Sequence, residues 1–175
     1  QAGVQCAKDM MKKRTSANIV LLTHKNTKSG EDRIRGFLDT LKGKTGYQII
    51  DSADTEGQIE RSLPKVEKII EEHDDIDVIM ALNDPAAMGA LAALDSKDYG
   101  REVLVYGVDG SPEAKKLIQE DMMTGTSAQF PKQMGDTAIE SAYQLIDKKS
   151  ISKTKVVPVG MITKENIKQF DINRW

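Results

Sequence analysis

The sequence predicts an α/β fold built on a five-stranded parallel sheet with helices on both faces. Short runs of aliphatic and β-branched residues alternate along the chain with amphipathic segments, which is typical of successive βα units. Hydrophobic residues make up 39% of the 175 residues, enough for one core of ordinary size. The predicted strands are Asn18 to Thr23, Tyr47 to Asp51, Asp77 to Leu82, Val103 to Val108 and Thr124 to Gln129.

Capping signals mark where the helices between these strands begin. Asp84 and Ser111 each precede a proline, which is favoured at the first helical position, so we expect both to be N-caps. Asn83 would then stand outside its helix, free for another role. Pro64 falls inside a predicted helical segment and either kinks it or delays its start to about Ser62.

Two further helices flank the predicted sheet. The first precedes strand one and carries Cys6 on its apolar face, where the residue is expected to be a small core side chain. The second, from 131 to 148, carries an apolar stripe that includes Met134 and Leu145. A last strand is predicted from Lys155 to Val159.

Composition excludes several classes of function. Lys and Arg (25) nearly balance Asp and Glu (27), so no net positive field favours nucleic acid, and we expect no nucleic-acid partner. The single Cys6 cannot form an internal disulfide, and His24 and His73 stand alone in the sequence, so no metal site is predicted. No apolar run reaches the roughly 20 residues that a membrane-spanning helix needs.

Polar side chains follow the predicted strands at one edge of the sheet. Ligands of open α/β sheets bind outside the carboxyl ends of the strands, where loops meet helix N-termini. Amide, carboxylate and guanidinium groups together satisfy hydroxyls that both donate and accept hydrogen bonds, as in a sugar or another polyol. The residues selected by this rule are Arg33, Asn83, Asp109 and Gln129, with His24 and Asn26 as additional candidate ligand contacts in the loop after strand one.

The sequence contains no recognisable catalytic motif. There is no nucleophile with an adjacent base, no G-x-G-x-x-G motif after strand one, and no carboxylate pair spaced for acid–base work. The sequence therefore predicts a binding protein that needs no cofactor, rather than an enzyme.

Four motifs resemble those of ribose-binding protein and its relatives, the type I periplasmic sugar-binding proteins. They are R-I-R-G-F at 33–37, N-D-P-A-A-M-G-A at 83–90, Y-G-V-D-G at 106–110 and A-Q-F-P-K-Q-M-G at 128–135. The resemblance covers nearly the whole chain and implies that Arg33, Asn83, Asp109 and Gln129 bind the sugar. The loop A-D-T-E-G at 53–57 lacks the aromatic residue often found there in the family, so pentose specificity is not implied. The basic loop at 23–29 suggests a modified or acidic sugar as an alternative.

The resemblance also implies a domain organisation. Residues 1–129 correspond to the carboxy-terminal, ligand-binding lobe, in flavodoxin-like form. Residues 130–160 would be a hinge crossing with a helix and a strand of a truncated amino-terminal lobe, and 161–175 a return segment and tail. A helix 131–148 without its partner sheet would expose its apolar stripe, so we expect a homodimer or a swapped pair through it.

In the resembled family the protein is the extracytoplasmic solute-binding component of an ABC importer, working with membrane subunits or a chemoreceptor. One alternative is the effector-sensing domain of a LacI-type transcription regulator, or of a membrane sugar sensor. Such regulators usually carry G-F-D-D, where this chain has G-V-D-G at 107–110, so transport is favoured. A remoter alternative is an enzyme on a flavodoxin-like sheet, a fold that hosts many chemistries.

Overall fold

The computed structural model describes all 175 residues, and its helices and strands alternate as the sequence predicts. The helices are α1 (Ala2–Lys13), α2 (Lys28–Leu41), α3 (Ile59–Glu72), α4 (Asp84–Ser96), α5 (Pro112–Gln119) and α6 (Pro131–Ile146). The strands are β1 (Ala17–Thr23), β2 (Tyr47–Asp54), β3 (Val78–Ala81), β4 (Leu104–Asp109), β5 (Gly125–Ala128) and β6 (Gly160–Thr163), followed by a short 3-10 helix (Ile167–Gln169).

The sheet has the order β2-β1-β3-β4-β5-β6, in which the first five strands are parallel and β6 pairs antiparallel with β5. The predicted strand from Lys155 to Val159 is wrong. Pro158 within that run has no N–H to give to a ladder, and pairing begins only at Gly160, opposite Ala128. The last strand thus joins the sheet of β1 to β5 instead of a separate one.

The sheet separates two apolar cores because successive side chains of a strand point to opposite faces. In β1, for example, Val20 and Leu22 belong to the core beneath α3, α4 and α5, whereas Ile19 and Leu21 belong to the core beneath α1 and α2. Both faces of the central strands β1, β3 and β4 are therefore buried, which explains why these strands appear in the sequence as nearly continuous apolar runs.

A bulge interrupts β2, the strand at one edge of the sheet. Ile19 of β1 pairs with Ile49, but Val20 pairs with Asp51, so Ile50 is an extra residue in β2. Bulges bend a strand and re-aim the side chains that follow. The bulge therefore sets the direction of Asp51.

Two of the predicted helix starts need correction. Asn83, not Asp84, is the N-cap of α4, since its side chain accepts a hydrogen bond from the backbone N–H of Ala86 at 3.0 Å. Ser111 caps α5 as predicted, accepting from Ala114 at 3.1 Å. α3 begins at Ile59 and contains Pro64, so the later start is wrong.

α6 differs from the other helices because none of its residues is buried. Its start at Pro131 is as predicted, and its end at Ile146 comes two residues early. The large exposed apolar side chains of this helix, here called the α6 face, are Met134, Ile139, Tyr143, Leu145 and Ile146. No helix of the protein combines the length and the apolar character that crossing a bilayer requires.

Candidate functional site

The candidate site lies at the carboxyl ends of the parallel strands, where the chain order reverses. β1 is followed in sequence by β2 on one side and is paired with β3 on its other side. Such a switch point opens a crevice between the loops that leave neighbouring strands. Arg33 lies on α2, which follows β1, and Asn83 follows β3, so these two residues flank the crevice.

Three of the four predicted ligand residues form one hydrogen-bonded network, here called the rim network. The Arg33 guanidinium lies 3.1 Å from Oδ1 of Asp109, and the same oxygen accepts a hydrogen bond from Nε2 of Gln129 at 2.7 Å. Arg33 also donates from Nη1 to the carbonyl oxygen of Leu82 at 2.9 Å. The side chains of Arg33 and Asp109 are each 18% exposed, so the pair is largely shielded but open to a ligand.

Asp109 has a positive φ, a backbone conformation that residues other than glycine rarely adopt. Its φ is 135°, and the next residue, Gly110, also has a positive φ of 75°. Such a conformation costs about 1–3 kcal/mol at a non-glycine residue and persists only where the surroundings hold it. Here the backbone N–H of Gln129 donates to the Asp109 carbonyl oxygen at 2.9 Å, and Arg33 and Gln129 hold its carboxylate.

Burial dominates the titration of Asp109. Removal from water raises its pKa above the ordinary 3.8, although the Arg33 charge and the hydrogen bonds from Gln129 and Arg33 act in the opposite direction. The carboxylate is thus only partly compensated within the protein. A ligand that donates hydrogen bonds to it would supply the missing stabilisation.

Asn83 lies next to the rim network but already has protein partners. Its Oδ1 caps α4, and its Nδ2 donates to the carbonyl oxygen of Gly57 at 3.0 Å. A Cβ added at Gly57 would come within 2.7 Å of that Nδ2, so the loop after β2 closes directly on the amide. One amide hydrogen and one lone pair of Asn83 remain for a ligand.

Asp84, the residue after this cap, is fully buried beneath the site. Its carboxylate accepts hydrogen bonds from the backbone N–H of Ser111 at 2.8 Å and from the Thr126 hydroxyl at 2.6 Å. These contacts tie the start of α4 to α5 and β5. A Cβ at Gly107 would lie 2.4 Å from the carboxylate, so only glycine fits beside it in β4.

The buried Asp84 is expected to make stability depend on pH. Burial raises its pKa from 3.8 to about 6, against the hydrogen bonds from Thr126 and Ser111 and with a smaller contribution from Asp109. A folded-state pKa above the unfolded one means that the native protein binds the proton more tightly. Between pH 3.8 and about 6, this group therefore lowers the free energy of unfolding as pH rises, by about 3 kcal/mol in total.

Urea unfolding of the wild type and of Asp84→Asn between pH 4 and pH 7 measures this effect. The free energy of unfolding of the wild type minus that of Asp84→Asn should fall as pH rises through that window. The asparagine does not ionise, so only the wild type loses this contribution. A difference that stays constant with pH would show that Asp84 titrates normally in the folded protein.

His24 and Asn26 are not drawn into the rim network. Asn26 is exposed, and the carbonyl oxygen of His24 accepts from the N–H and hydroxyl of Thr27, which begins α2 as its N-cap. The half-buried His24 side chain lines a separate groove with Glu31 and Arg35. Neither side chain forms a hydrogen bond with Arg33, Asp109 or Gln129.

Trp175, the only tryptophan, has no position predicted from the sequence, and the structure places it beside the site. Its ring lines a crevice with Gln129, Pro131 and Met134 and is 60% exposed. The tail that carries it is anchored by the buried Lys115, whose ammonium group donates to the carbonyl oxygens of Asp171, at 2.6 Å, and Arg174. No local motif signals this placement, because it depends on contacts about 50 residues apart in the chain.

Comparison with known proteins gives consistent matches. Residues 1–150 match the periplasmic binding protein domain. The ribose import binding protein of Bacillus subtilis is 30% identical over 134 residues, covering 77% of this chain and 43% of that protein. The D-allose-binding periplasmic protein of Escherichia coli is 30% identical over 112 residues, covering 64% of this chain and 36% of that protein.

Solved structures agree. An ABC transporter periplasmic solute binding protein from Actinobacillus succinogenes, solved with bound D-allose, superposes with a TM-score of 0.92 at 28% identity. The match covers 97% of this chain and 61% of that one. The chain thus spans less than half the length of the curated relatives named above and about three fifths of this structural neighbour.

Proposed function

Since this chain belongs to the periplasmic binding protein family, we propose that it binds a sugar or a related polyol, without catalysis, through the rim network. The observation that carries the proposal is that Arg33 and Gln129 both contact Oδ1 of Asp109, at the carboxyl ends of the parallel strands. The names of the relatives support it, because they include ribose and D-allose binders.

The chemistry of the rim network suits vicinal hydroxyl groups. Arg33 and the Gln129 amide donate hydrogen bonds, and Asp109 accepts them, so a hydroxyl placed between them both accepts and donates. Within the protein, Arg33 and Gln129 both contact the Asp109 carboxylate. A sugar would insert its hydroxyls among them, and Asn83 would add its free amide hydrogen.

An apolar surface for the sugar ring is the other feature that such a site needs. The loop after β2 offers no aromatic side chain, as the sequence indicated. Trp175 lies beside Gln129, where an indole ring is available to a ligand at the rim. We therefore place the ring of the sugar toward this side of the site.

We further propose that the protein acts outside the cytoplasm as the solute-binding component of an ABC importer, with a second lobe clamping the sugar from above. The α6 face, none of which is buried, would pack in that second lobe, as expected for residues 130–160. The relatives support transport over the regulator, sensor and enzyme alternatives, since the curated matches include import and periplasmic binding proteins.

A sugar titration followed by amide NMR tests the proposal. Four sugars are each added to the chain at millimolar concentration: D-ribose, D-allose, an epimer of D-allose and an acidic sugar. This concentration detects the weak binding expected of one lobe. Saturable shifts at Asp109, Gln129 and Gly110 support the proposal. Shifts confined to the groove of His24, or none with any sugar, would refute it.

Self-association through the α6 face is a further prediction for this 175-residue chain in isolation. Five large apolar side chains are exposed on this one helix, and exposed apolar surface drives association, so we expect a homodimer at micromolar concentration. Light scattering of the wild type and of Ile139→Glu measures it. Loss of the dimer in Ile139→Glu but not in Lys132→Glu, at the polar start of α6, is the expected result, and a monomeric wild type contradicts it.

A further inference from the structure

A cluster of three metal-ligating side chains lies away from the candidate sugar site. Asp51 of β2, Glu72 of α3 and His73, the C-cap of α3, bring two carboxylate oxygens and an imidazole nitrogen within 4.8 Å of one another. α3 runs back from the carboxyl end of β2 to the start of β3, so its C-terminus lies toward the opposite end of the sheet from the rim network. We propose that Asp51, Glu72 and His73 bind a divalent transition-metal ion, with Zn²⁺ as the expected occupant.

The spacing of two of these ligands already fits a metal. Nε2 of His73 lies 3.4 Å from Oδ2 of Asp51, which is long for a hydrogen bond. Two ligands at zinc bond lengths of about 2.0–2.1 Å in tetrahedral geometry lie roughly 3.3 Å apart. The separation of this nitrogen and oxygen is therefore close to that of two ligands on one zinc ion.

The backbone that carries the ligands is held in place. The bulge at Ile50 directs Asp51, and the N–H of His73 donates to the carbonyl oxygen of Ile69 at 2.9 Å. The Tyr99 hydroxyl donates to the carbonyl oxygen of His73 at 3.2 Å and accepts from the N–H of Ile76 at 2.9 Å. The backbone at two of the three ligands is thus held in place, and the third ligand, Glu72, has an exposed side chain.

The charge around the cluster also favours a cation. The segment 71–77 reads E-E-H-D-D-I-D, with five acidic residues in seven. Some are neutralised within the protein, since Glu71 pairs with Lys97 and Asp77 with Arg101. At Glu72 the neighbouring cation is Lys68, whose Nζ lies 3.7 Å from the carboxylate, and this weak pair competes with a metal for Glu72.

The donor set selects among metals. One imidazole and two carboxylates suit Zn²⁺ and its neighbours Co²⁺ and Ni²⁺, whereas Mg²⁺ and Ca²⁺ prefer oxygen ligands alone. Three protein ligands leave one position of a zinc ion for water. The ion would join the edge strand β2 to the end of α3.

Isothermal titration of the untagged protein with ZnCl₂ tests the proposal and does not depend on sugar binding. We expect one ion per chain, and a loss of affinity of roughly tenfold or more in His73→Ala and in Asp51→Asn. His24→Ala is the matched control, since it removes the other histidine and should leave affinity unchanged. Circular dichroism verifies that each variant is folded.

Comparing Lys68→Ala with Lys65→Ala distinguishes a specific site at Glu72 from nonspecific binding to surface carboxylates. Removing the competing cation should strengthen zinc binding several-fold, while Lys65→Ala, one turn earlier on the same helix, should change it little. Titration with MgCl₂ should give no comparable binding. The proposal is overturned if zinc does not saturate at one ion per chain, or if His73→Ala binds zinc as tightly as the wild type.

Discussion

Arg33→Ala is expected to weaken sugar binding by about tenfold or more, because a hydrogen bond from a charged donor contributes about 1.5–3 kcal/mol. Arg33 contributes in two ways. Its guanidinium would donate to the sugar directly, and at 3.1 Å it holds the Asp109 carboxylate in position for the same ligand. NMR titration with the sugar that shifts the wild type most measures the change.

Arg35→Ala is the matched control for this variant. Arg35 lies two residues further along α2, is exposed, and pairs with Asp32 on the helix surface instead of with the rim network. Its removal should leave sugar affinity within about twofold of the wild type. Equal affinities of Arg33→Ala and the wild type would show that the sugar binds elsewhere.

Arg33→Ala also leaves Asp109 without its cation. Burial already raises the pKa of Asp109, and the Arg33 charge is the largest effect that opposes this rise. The variant should therefore bind a proton at Asp109 at a higher pH than the wild type does. A carbon-13 NMR titration of the Asp109 carboxyl group measures the shift without any ligand, so it tests the rim network separately from sugar binding.

Gly3→Ala is expected to lower the free energy of unfolding by about 3 kcal/mol or more, an unusually large effect for one added methyl group. Gly3 lies where α1 crosses α2. A Cβ there would come within 1.9 Å of the carbonyl oxygen of Arg33 and 2.7 Å of the backbone nitrogen of Phe37. Backbone atoms of a packed helix cannot rotate away, so α1 and α2 would have to separate.

Gly36→Ala provides a matched control at the same helix crossing. Its Cβ would meet only Val4, at 3.5 Å or more, which is ordinary van der Waals contact. Alanine is the better helix former, so this variant should be up to about 1 kcal/mol more stable than the wild type. Urea unfolding of both variants measures the contrast, and similar stabilities would contradict the close approach at Gly3.

The same crossing links stability to the site. α2 carries Arg33, so a shift of α2 away from α1 moves the guanidinium relative to Asp109. Gly3→Ala should therefore weaken sugar binding in whatever fraction remains folded, although Gly3 has no contact with the site. Gly36→Ala should bind sugar as the wild type does.

The rim network was predictable because it follows from the order of strands and loops. Once β1, β3, β4 and β5 are recognised as parallel strands, the residues that follow them must meet at one edge. The sequence therefore predicts that Arg33, Asp109 and Gln129 lie close together. It does not indicate that Arg33 and Gln129 contact the same oxygen of Asp109.

The exchange of roles between Asn83 and Asp84 was not predictable from local sequence. Asparagine and aspartate are both favoured N-cap residues, and Asn83 and Asp84 both lie within two residues of Pro85. The choice depends on Asp84 meeting Ser111 and Thr126, which are 27 and 42 positions away. Only the folded arrangement of β4 and β5 brings these hydrogen-bond donors beneath α4.

The acidic neighbours of His73 were likewise not predictable from local sequence. Ligand spacing along the chain reveals zinc sites whose residues are close in sequence. Asp51 comes from a different element than Glu72 and His73, and the bulge at Ile50 sets its direction. A histidine that stands alone in the sequence therefore has two acidic neighbours in the structure.

The two edges of the sheet differ in how strongly they invite a strand of a second molecule to pair with them. β6, an antiparallel strand of four residues, forms one edge, and β2, a parallel strand of eight residues, forms the other. An open strand of eight residues invites a second molecule to add its own strand, and irregular backbone and charge discourage this. We expect the extra residue at Ile50 and the carboxylates of Asp51 and Asp54 to discourage such pairing, so a straightened β2 should associate more readily through its edge.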